Sequence, residues 1–196
     1  MKQFKGQKDL EKDIELLNSQ VERCNEILKR LTLNPVEEDE FIDKDINIRD
    51  YLHEIISSFK EISKKEFVFN FDQDSNPKKI SKSIEIVYGL RNFIGNANKF
   101  AKNSIFINLK SDSEFTELTV EDDGNGYPRD IISKIGEPYL KSNYSKDKSK
   151  EGLGLGLFIG KTLLEKNFAS VNCRNSKTRS GAEVIIRWKN KELFNI

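Results

Sequence analysis

Apolar residues near the start of the chain recur with a fixed beat. Leu10, Ile14, Leu17, Val21, Cys24, Leu28 and Leu31 follow one another at steps of 4, 3, 4, 3, 4 and 3. This is an a/d seam on one long helix over residues 7 to 33, with Lys, Glu, Asp and Asn on its other faces. So narrow a stripe predicts a partner helix, from another chain or from a segment outside this sequence. Pro35 stops the helix. Residues 36–46 read as an acidic linker, which divides the chain into a helical stretch 1–35 and a folded unit 47–196.

The pattern then changes. Tyr51, Leu52, Ile55, Ile56, Phe59 and Ile62 predict a helix between Ile48 and Lys65. Phe67, Phe69 and Phe71 alternate with Val68 and Asn70, the period of a strand. A turn at Asp72–Pro77 leads to a second helix from Ser81 to Ala101. Ser104–Lys110 and Phe115–Asp122 read as two strands joined by Ser111-Asp112-Ser113-Glu114. A short helix at Ile131–Ile135 precedes the polar loop Tyr139–Glu151, which carries Lys141, Lys146, Lys148 and Lys150. Leu155–Asn167 predicts a helix, and Ala169–Asn175 and Ala182–Trp188 are closing strands. Helices and strands interleave without regular βαβ spacing. The expected class is α+β, an α/β sandwich with helices on one face of a mixed sheet.

Composition narrows the function. The 196 residues include 33 Lys+Arg against 32 Asp+Glu, a net charge of +1. No global field draws the chain to nucleic acid, and no nucleic-acid partner is expected. No apolar run approaches the ~20 residues that span a bilayer. No signal peptide is visible, because Met1–Gly6 lead straight into charged helix. Cys24 and Cys173 lie far apart without metal-ligand spacing, so a reduced, cytoplasmic setting is expected. The sequence has one histidine, His53, which excludes His-rich metal sites.

Three segments carry candidate chemistry. Asn92, Asn96 and Lys99 share one face of the predicted second helix. An amide oxygen is a reasonable Mg²⁺ ligand beside phosphate, and a lysine balances phosphate charge. Asn-rich helices also arise in any chain biased toward Lys and Asn. Asp122 ends a strand and is followed by Gly124 and Gly126. A carboxylate there can accept from an exocyclic amine such as adenine N6, while the glycines permit close approach or positive φ. The plain alternative is an Asp-Gly turn. Gly152-Leu153-Gly154-Leu155-Gly156 opens a helix, whose N-terminal N–H groups bind phosphate. The spacing is neither the dinucleotide fingerprint nor a Walker A loop, and a flexible hinge is the competing reading.

In this order the segments resemble the N, G1 and G2 boxes of the GHKL ATP-binding superfamily, which includes sensor histidine kinases, Hsp90, DNA gyrase B and MutL. Leu90–Phe100 resembles the kinase N box, Val120–Pro128 the G1 box, Gly136-Glu137-Pro138-Tyr139 the F box, and Ser180-Gly181-Ala182 the last glycine box. The resemblance implies a Bergerat-type sandwich that binds ATP with Mg²⁺ under a lid. By the match Asn96 holds Mg²⁺, Lys99 meets phosphate, Asp122 binds adenine, and Tyr139–Glu151, with Tyr139 and Lys141, forms the lid. Gly124, Gly126 and Gly152–Gly156 complete the implied ATP site. The hydrolases of the superfamily place a general-base Glu four residues before the metal Asn, whereas this chain has Asn92, an amide that takes no proton from water. The resemblance therefore implies transfer of phosphate to a side chain rather than hydrolysis.

Histidine kinases dimerise through a two-helix hairpin, and Leu10–Leu31 resembles its second helix. The first helix, with the phospho-accepting His, has no counterpart in the sequence, and His53 lacks its motif context. The expectation is the catalytic part of a two-component sensor kinase: a homodimer through the N-terminal helix, with a response regulator as partner and a parent protein anchored at the inner membrane. Autophosphorylation by this chain alone is not expected. Within the kinases, Gln20–Leu28, Gly136–Tyr139 and Gly154–Glu165 are similar to the redox-sensing RegB/PrrB group. That similarity makes Cys24 a redox candidate; a small buried hydrophobe is the alternative. Two other readings are an anti-sigma-type serine kinase and a non-catalytic, nucleotide-dependent dimerisation module.

Overall fold

A computed structural model describes residues 46–72, 79–80, 83–138 and 155–193. All belong to the unit of the chain running from Phe41 to Ile196. The predicted heptad helix, Cys24, and the lid with Tyr139, Lys141, Gly152, Leu153 and Gly154 lie outside the described residues.

The described elements are β1 (Ile46–Asn47), α1 (Ile48–Lys60), β2 (Glu66–Phe71), β3 (Lys79–Ile80), α2 (Ile84–Phe100), β4 (Ser104–Ser111), β5 (Phe115–Asp122), α3 (Arg129–Ile132), α4 (Gly156–Lys166), β6 (Ser170–Asn175), β7 (Ala182–Lys189) and α5 (Asn190–Leu193). Five strands form one sheet in the order β2-β4-β5-β7-β6. The β2–β4 pair is parallel and the other pairs are antiparallel, so the sheet is mixed as expected. Ile46, the last residue of the expected linker, pairs with Ile80 in a separate two-stranded ribbon.

Alternation along the strands decides which face is covered. Ile105, Ile107 and Leu109 of β4, Leu118 and Val120 of β5, and Val184, Ile186 and Trp188 of β7 are buried together. Against them pack Leu52, Ile55 and Ile56 of α1, Leu90, Phe93, Ile94 and Ala97 of α2, and Leu164 of α4. Each such Leu, Ile, Val or Phe side chain contributes about 1.5–3 kcal/mol by leaving water. The alternate positions hold charge and rings instead: Arg179 lies 3.6 Å over Phe106, and Arg187 lies 3.8 Å over Phe115.

The helix limits have local causes. Asn47 caps α1 by accepting from the Arg49 N–H at 2.9 Å. Ser83 caps α2, and its carbonyl accepts from the Tyr51 hydroxyl at 3.0 Å, which ties the two helix starts together. Helix α1 stops at Lys60, five residues before the predicted end, and Ile62 is 79% exposed rather than part of the apolar face. The helix tightens there: Ile62 and Ser63 N–H both donate to the Phe59 carbonyl. The chain then turns so that Ser63 and Lys65 reach the far end of α2. The short α3 begins and ends earlier than predicted, at Arg129–Ile132.

Helices α2 and α4 meet where both lack side chains. A Cβ on Gly89 would fall 2.6 Å from Leu164 Cγ, and one on Gly160 only 3.2 Å from the Gly89 carbonyl. This close crossing brings Asn92 of α2 beside Gly156, the first residue of α4.

Candidate nucleotide site

Strand β5 delivers Asp122 to the helix-covered face, in phase with Leu118 and Val120. It is only 2% exposed. Its Oδ1 accepts from the Gly124 N–H at 2.8 Å and from the Ala182 N–H at 3.2 Å. Among the described residues no hydrogen bond reaches Oδ2, which remains for a ligand donor. Burial pushes the Asp122 carboxyl above its ordinary value; the Gly124 and Ala182 N–H groups pull it back, Asp123 pushes it up and Lys65 draws it down.

Packing of the protein itself explains the glycines around this carboxylate. A Cβ on Gly124 would lie 2.5 Å from the Phe100 carbonyl oxygen, and one on Gly181 only 1.8 Å from that of Asp122. Gly126 has φ of 73°, and a Cβ there would meet Asn175 Oδ1 at 2.7 Å. Asn175 grips the next residue twice: its Oδ1 accepts the Tyr127 N–H at 2.6 Å, and its Nδ2 donates to the Tyr127 carbonyl at 3.0 Å. The spacing alone assigns Gly124 and Gly126 to a flat ring or to positive φ. Of the two, only Gly126 has positive φ; Gly124 is required by the end of α2.

Glu121, on the opposite face, is not among the residues that the sequence motifs single out. It is 6% exposed and accepts from Ser176 Oγ, from Thr178 Oγ1 at 3.1 Å and from Arg179 Nε at 3.2 Å. All three belong to the β6–β7 turn, which closes with Ser176 N–H on the Gly181 carbonyl at 2.8 Å. Glu121 therefore holds the turn that presses Gly181 and Ala182 onto Asp122. The only sequence signal was a second carboxylate next to the first.

Helix α2 carries Asn92, Asn96 and Lys99, each half-buried. Asn92 Nδ2 donates to the Tyr88 carbonyl at 2.8 Å, and its Oδ1 lies 3.4 Å from where a Gly156 Cβ would stand. Asn96 forms no hydrogen bond among the described residues. Lys99 Nζ lies 5.4 Å from the Phe100 ring. Helix α4 starts at Gly156, and Leu155 before it offers no side-chain cap. Among the described residues no side chain accepts from its first N–H groups, and a helix start of this kind attracts an anion. Asp122 and the last turn of α2 meet directly at Gly124 and Phe100.

A magnesium nucleotide suits this donor set as the described residues present it: a buried carboxylate with one oxygen that accepts no hydrogen bond among them, an amide that makes none among them, a lysine, and a helix start that none of them caps by a side chain. Among the described residues, no group of three or more His, Cys, Asp or Glu could hold a metal by itself. An amide offers Mg²⁺ a hard oxygen beside ligand phosphates and the waters the ion keeps. His53 sits elsewhere, edge-on to Phe69 with centroids 4.7 Å apart. Among the described residues no helix is long and apolar enough to cross a membrane.

Residues 81–192 match the family model described as histidine kinase-, DNA gyrase B-, and HSP90-like ATPase. The sensor histidine kinase RegB of Cereibacter sphaeroides is 30% identical over 175 residues, covering 85% of this chain and 37% of RegB. The sensor protein RstB of Escherichia coli is 31% identical over 99 residues, covering 50% of this chain and 23% of RstB. The chain thus spans well under half the length of these relatives. Among solved structures, the mycobacterial sensor histidine kinase MprB superposes with a TM-score of 0.61 at 18% identity, over 74% of this chain and 95% of that one. Full-length ShkA in complex with AMPPNP gives a TM-score of 0.61 at 21% identity, over 74% of this chain and 30% of that one. At such identities the likeness is one of fold, and it bears out the expected sandwich of helices on a mixed sheet.

Proposed function

The chain belongs to the histidine kinase-, DNA gyrase B-, and HSP90-like ATPase family, and from that premise we propose that it is the ATP-binding catalytic part of a two-component sensor histidine kinase. The observation that carries the proposal is Asp122, a buried carboxylate whose Oδ1 is held by two backbone N–H groups and whose Oδ2 accepts no hydrogen bond among the described residues. Oδ2 accepts from the exocyclic amine of adenine. The start of α4 and Lys99 take the phosphates. Asn96 holds Mg²⁺, which when bound neutralises phosphate charge. The AMPPNP in the ShkA complex supports ATP as the nucleotide.

The side chain four residues before Asn96 argues for transfer over hydrolysis. Asn92 is an amide whose Nδ2 is already committed to the Tyr88 carbonyl. It has no basic atom with which to deprotonate water. The acceptor on this reading is a histidine outside this sequence, since His53, exposed on α1 and edge-on to Phe69, has no acceptor motif around it. The names of the relatives above favour a sensor kinase over the anti-sigma-type serine kinase and over a non-catalytic module. On this reading the domain is cytoplasmic, dimerises through residues 7 to 33 and passes phosphate to a response regulator.

Labelled ATP mixed with this chain and a protein supplying the acceptor hairpin helix tests the proposal. The expected product is an acid-labile, base-stable phosphoprotein, formed only with the chain present, while the chain alone hydrolyses ATP slowly. Brisk hydrolysis without any phosphoprotein would overturn it.

A further inference from the structure

The turn from α2 into β4, Ala101–Asn103, holds no glycine and none of the recognised boxes. It is nevertheless bonded from both sides by charged side chains. On the carbonyl side, Lys65 Nζ donates to the Asn98 carbonyl and, at 2.7 Å, to the Ala101 carbonyl. Ser63 supports it: its Oγ donates to Asn98 Oδ1 at 2.7 Å and accepts the Lys65 N–H at 3.1 Å. On the amide side, Asp123 Oδ1 accepts from the Lys102 N–H at 2.7 Å and the Asn103 N–H at 3.0 Å. The Asp123 N–H donates in turn to the Ser104 carbonyl at 3.3 Å.

Each charge has the sign its partner requires. The last carbonyls of a helix lack intrahelical donors and form the negative end of its dipole, so an ammonium suits them. The two N–H groups beyond the helix suit a carboxylate. The same turn joins the two halves of the site. Asn96 and Lys99 lie in the last turns of α2, just before it. Asp122 directly precedes Asp123, and the Phe100 carbonyl fills the place of a Gly124 Cβ at 2.5 Å.

We propose that Lys65 and Asp123 are positioning residues that fix the distance between the base-binding end of the site, at Asp122, and its phosphate and metal end, at Asn96 and Lys99. The proposal rests on the nucleotide reading above. A ligand that touches both ends gains from their fixed separation, because its second contact is then an intramolecular event at high effective concentration. A ligand that touches only the base end gains nothing from it.

Binding of adenosine and of Mg-ATP to the full chain separates these cases. Lys65→Met removes the ammonium and keeps an unbranched stem; Lys65→Arg keeps the charge; Asp123→Asn keeps the shape and loses the charge. Lys65→Met and Asp123→Asn are expected to weaken Mg-ATP about tenfold and adenosine by less than about twofold, with Lys65→Arg within about threefold of wild type for both. Equal losses for both ligands, or unchanged Mg-ATP affinity, would overturn the clamp. Should Lys65→Met not fold, Asp123→Asn and Lys65→Arg still give the comparison. A wild-type chain that binds neither ligand instead overturns the nucleotide reading itself, and the clamp with it.

Discussion

Gly181 lies so close to Asp122 that a Cβ on it would stand 1.8 Å from the Asp122 carbonyl oxygen and 2.5 Å from its Oδ1. The contact joins residues far apart in sequence and seats the adjacent Ala182 N–H on the carboxylate. Gly181→Ala has no flexible neighbour to displace, since the obstacle is backbone. It is expected to destabilise the fold by about 1–3 kcal/mol or more in urea unfolding, and to abolish the melting shift with Mg-ATP. Wild-type behaviour in both measurements would remove Gly181 from the site.

At Asp122 burial sets stability against charge. Burial holds its carboxyl above the ordinary value despite two backbone N–H bonds. The folded state therefore binds this proton more tightly than the unfolded state. The stability it brings is fully present below the unfolded value, about 3.9, and is lost as pH rises through the folded one. Asp122→Asn imitates the protonated form. The ligand-free variant is expected to melt above wild type at pH 7, with the gap closing as pH falls toward 4, and to show no shift with Mg-ATP. A variant that melts lower at pH 7 yet still responds to Mg-ATP contradicts both parts.

Two glycines of α2 are expected to respond to alanine with opposite signs. Among the described residues a Cβ on Gly95 would meet only Phe59, at an ordinary 3.5 Å, so Gly95→Ala gains the helix preference of about 0.8–1 kcal/mol. At Gly89 a Cβ would press on the fully buried Leu164 at 2.6 Å. Overpacking of about 1–3 kcal/mol then outweighs the same preference. Urea midpoints of the two variants on either side of wild type would bear this out; equal shifts would mean that the α2–α4 crossing relaxes freely.

Cys173 is expected to be chemically quiet. Burial raises its thiol to about 11, although Lys161 and the bond with Tyr127 both pull it down. At pH 8 its thiolate is on the order of one part in a thousand. Iodoacetamide labelling followed by mass spectrometry should find Cys173 slow in the native chain at pH 8 and fast after denaturation. Rapid native labelling would show that the β6 thiol is open to redox chemistry.

The sequence by itself determined the main helices and sheet strands and their inner faces, but neither the β1–β3 ribbon nor α5. The 3.6-residue period of Tyr51 to Phe59, the alternation of Phe67 to Phe71 and the run Leu118-Val120-Asp122 are local, and each survived into the fold. It also put Asn92, Asn96 and Lys99 on one helix and Asp122 at the end of a strand. It overran α1, where Ile62 extends the apolar period past the residue at which Ser63 and Lys65 must turn toward α2. Only the tertiary structure decided why Gly124 and Gly181 are glycines, what Glu121 holds, and how Lys65, Asp123 and Asn175 brace the site. Those relationships require β5 to lie between β4 and β7, and α2 to end against Gly124. Period and propensity act over a few neighbouring residues, whereas a carbonyl filling the place of a Cβ depends on which distant backbones the packed core forces together.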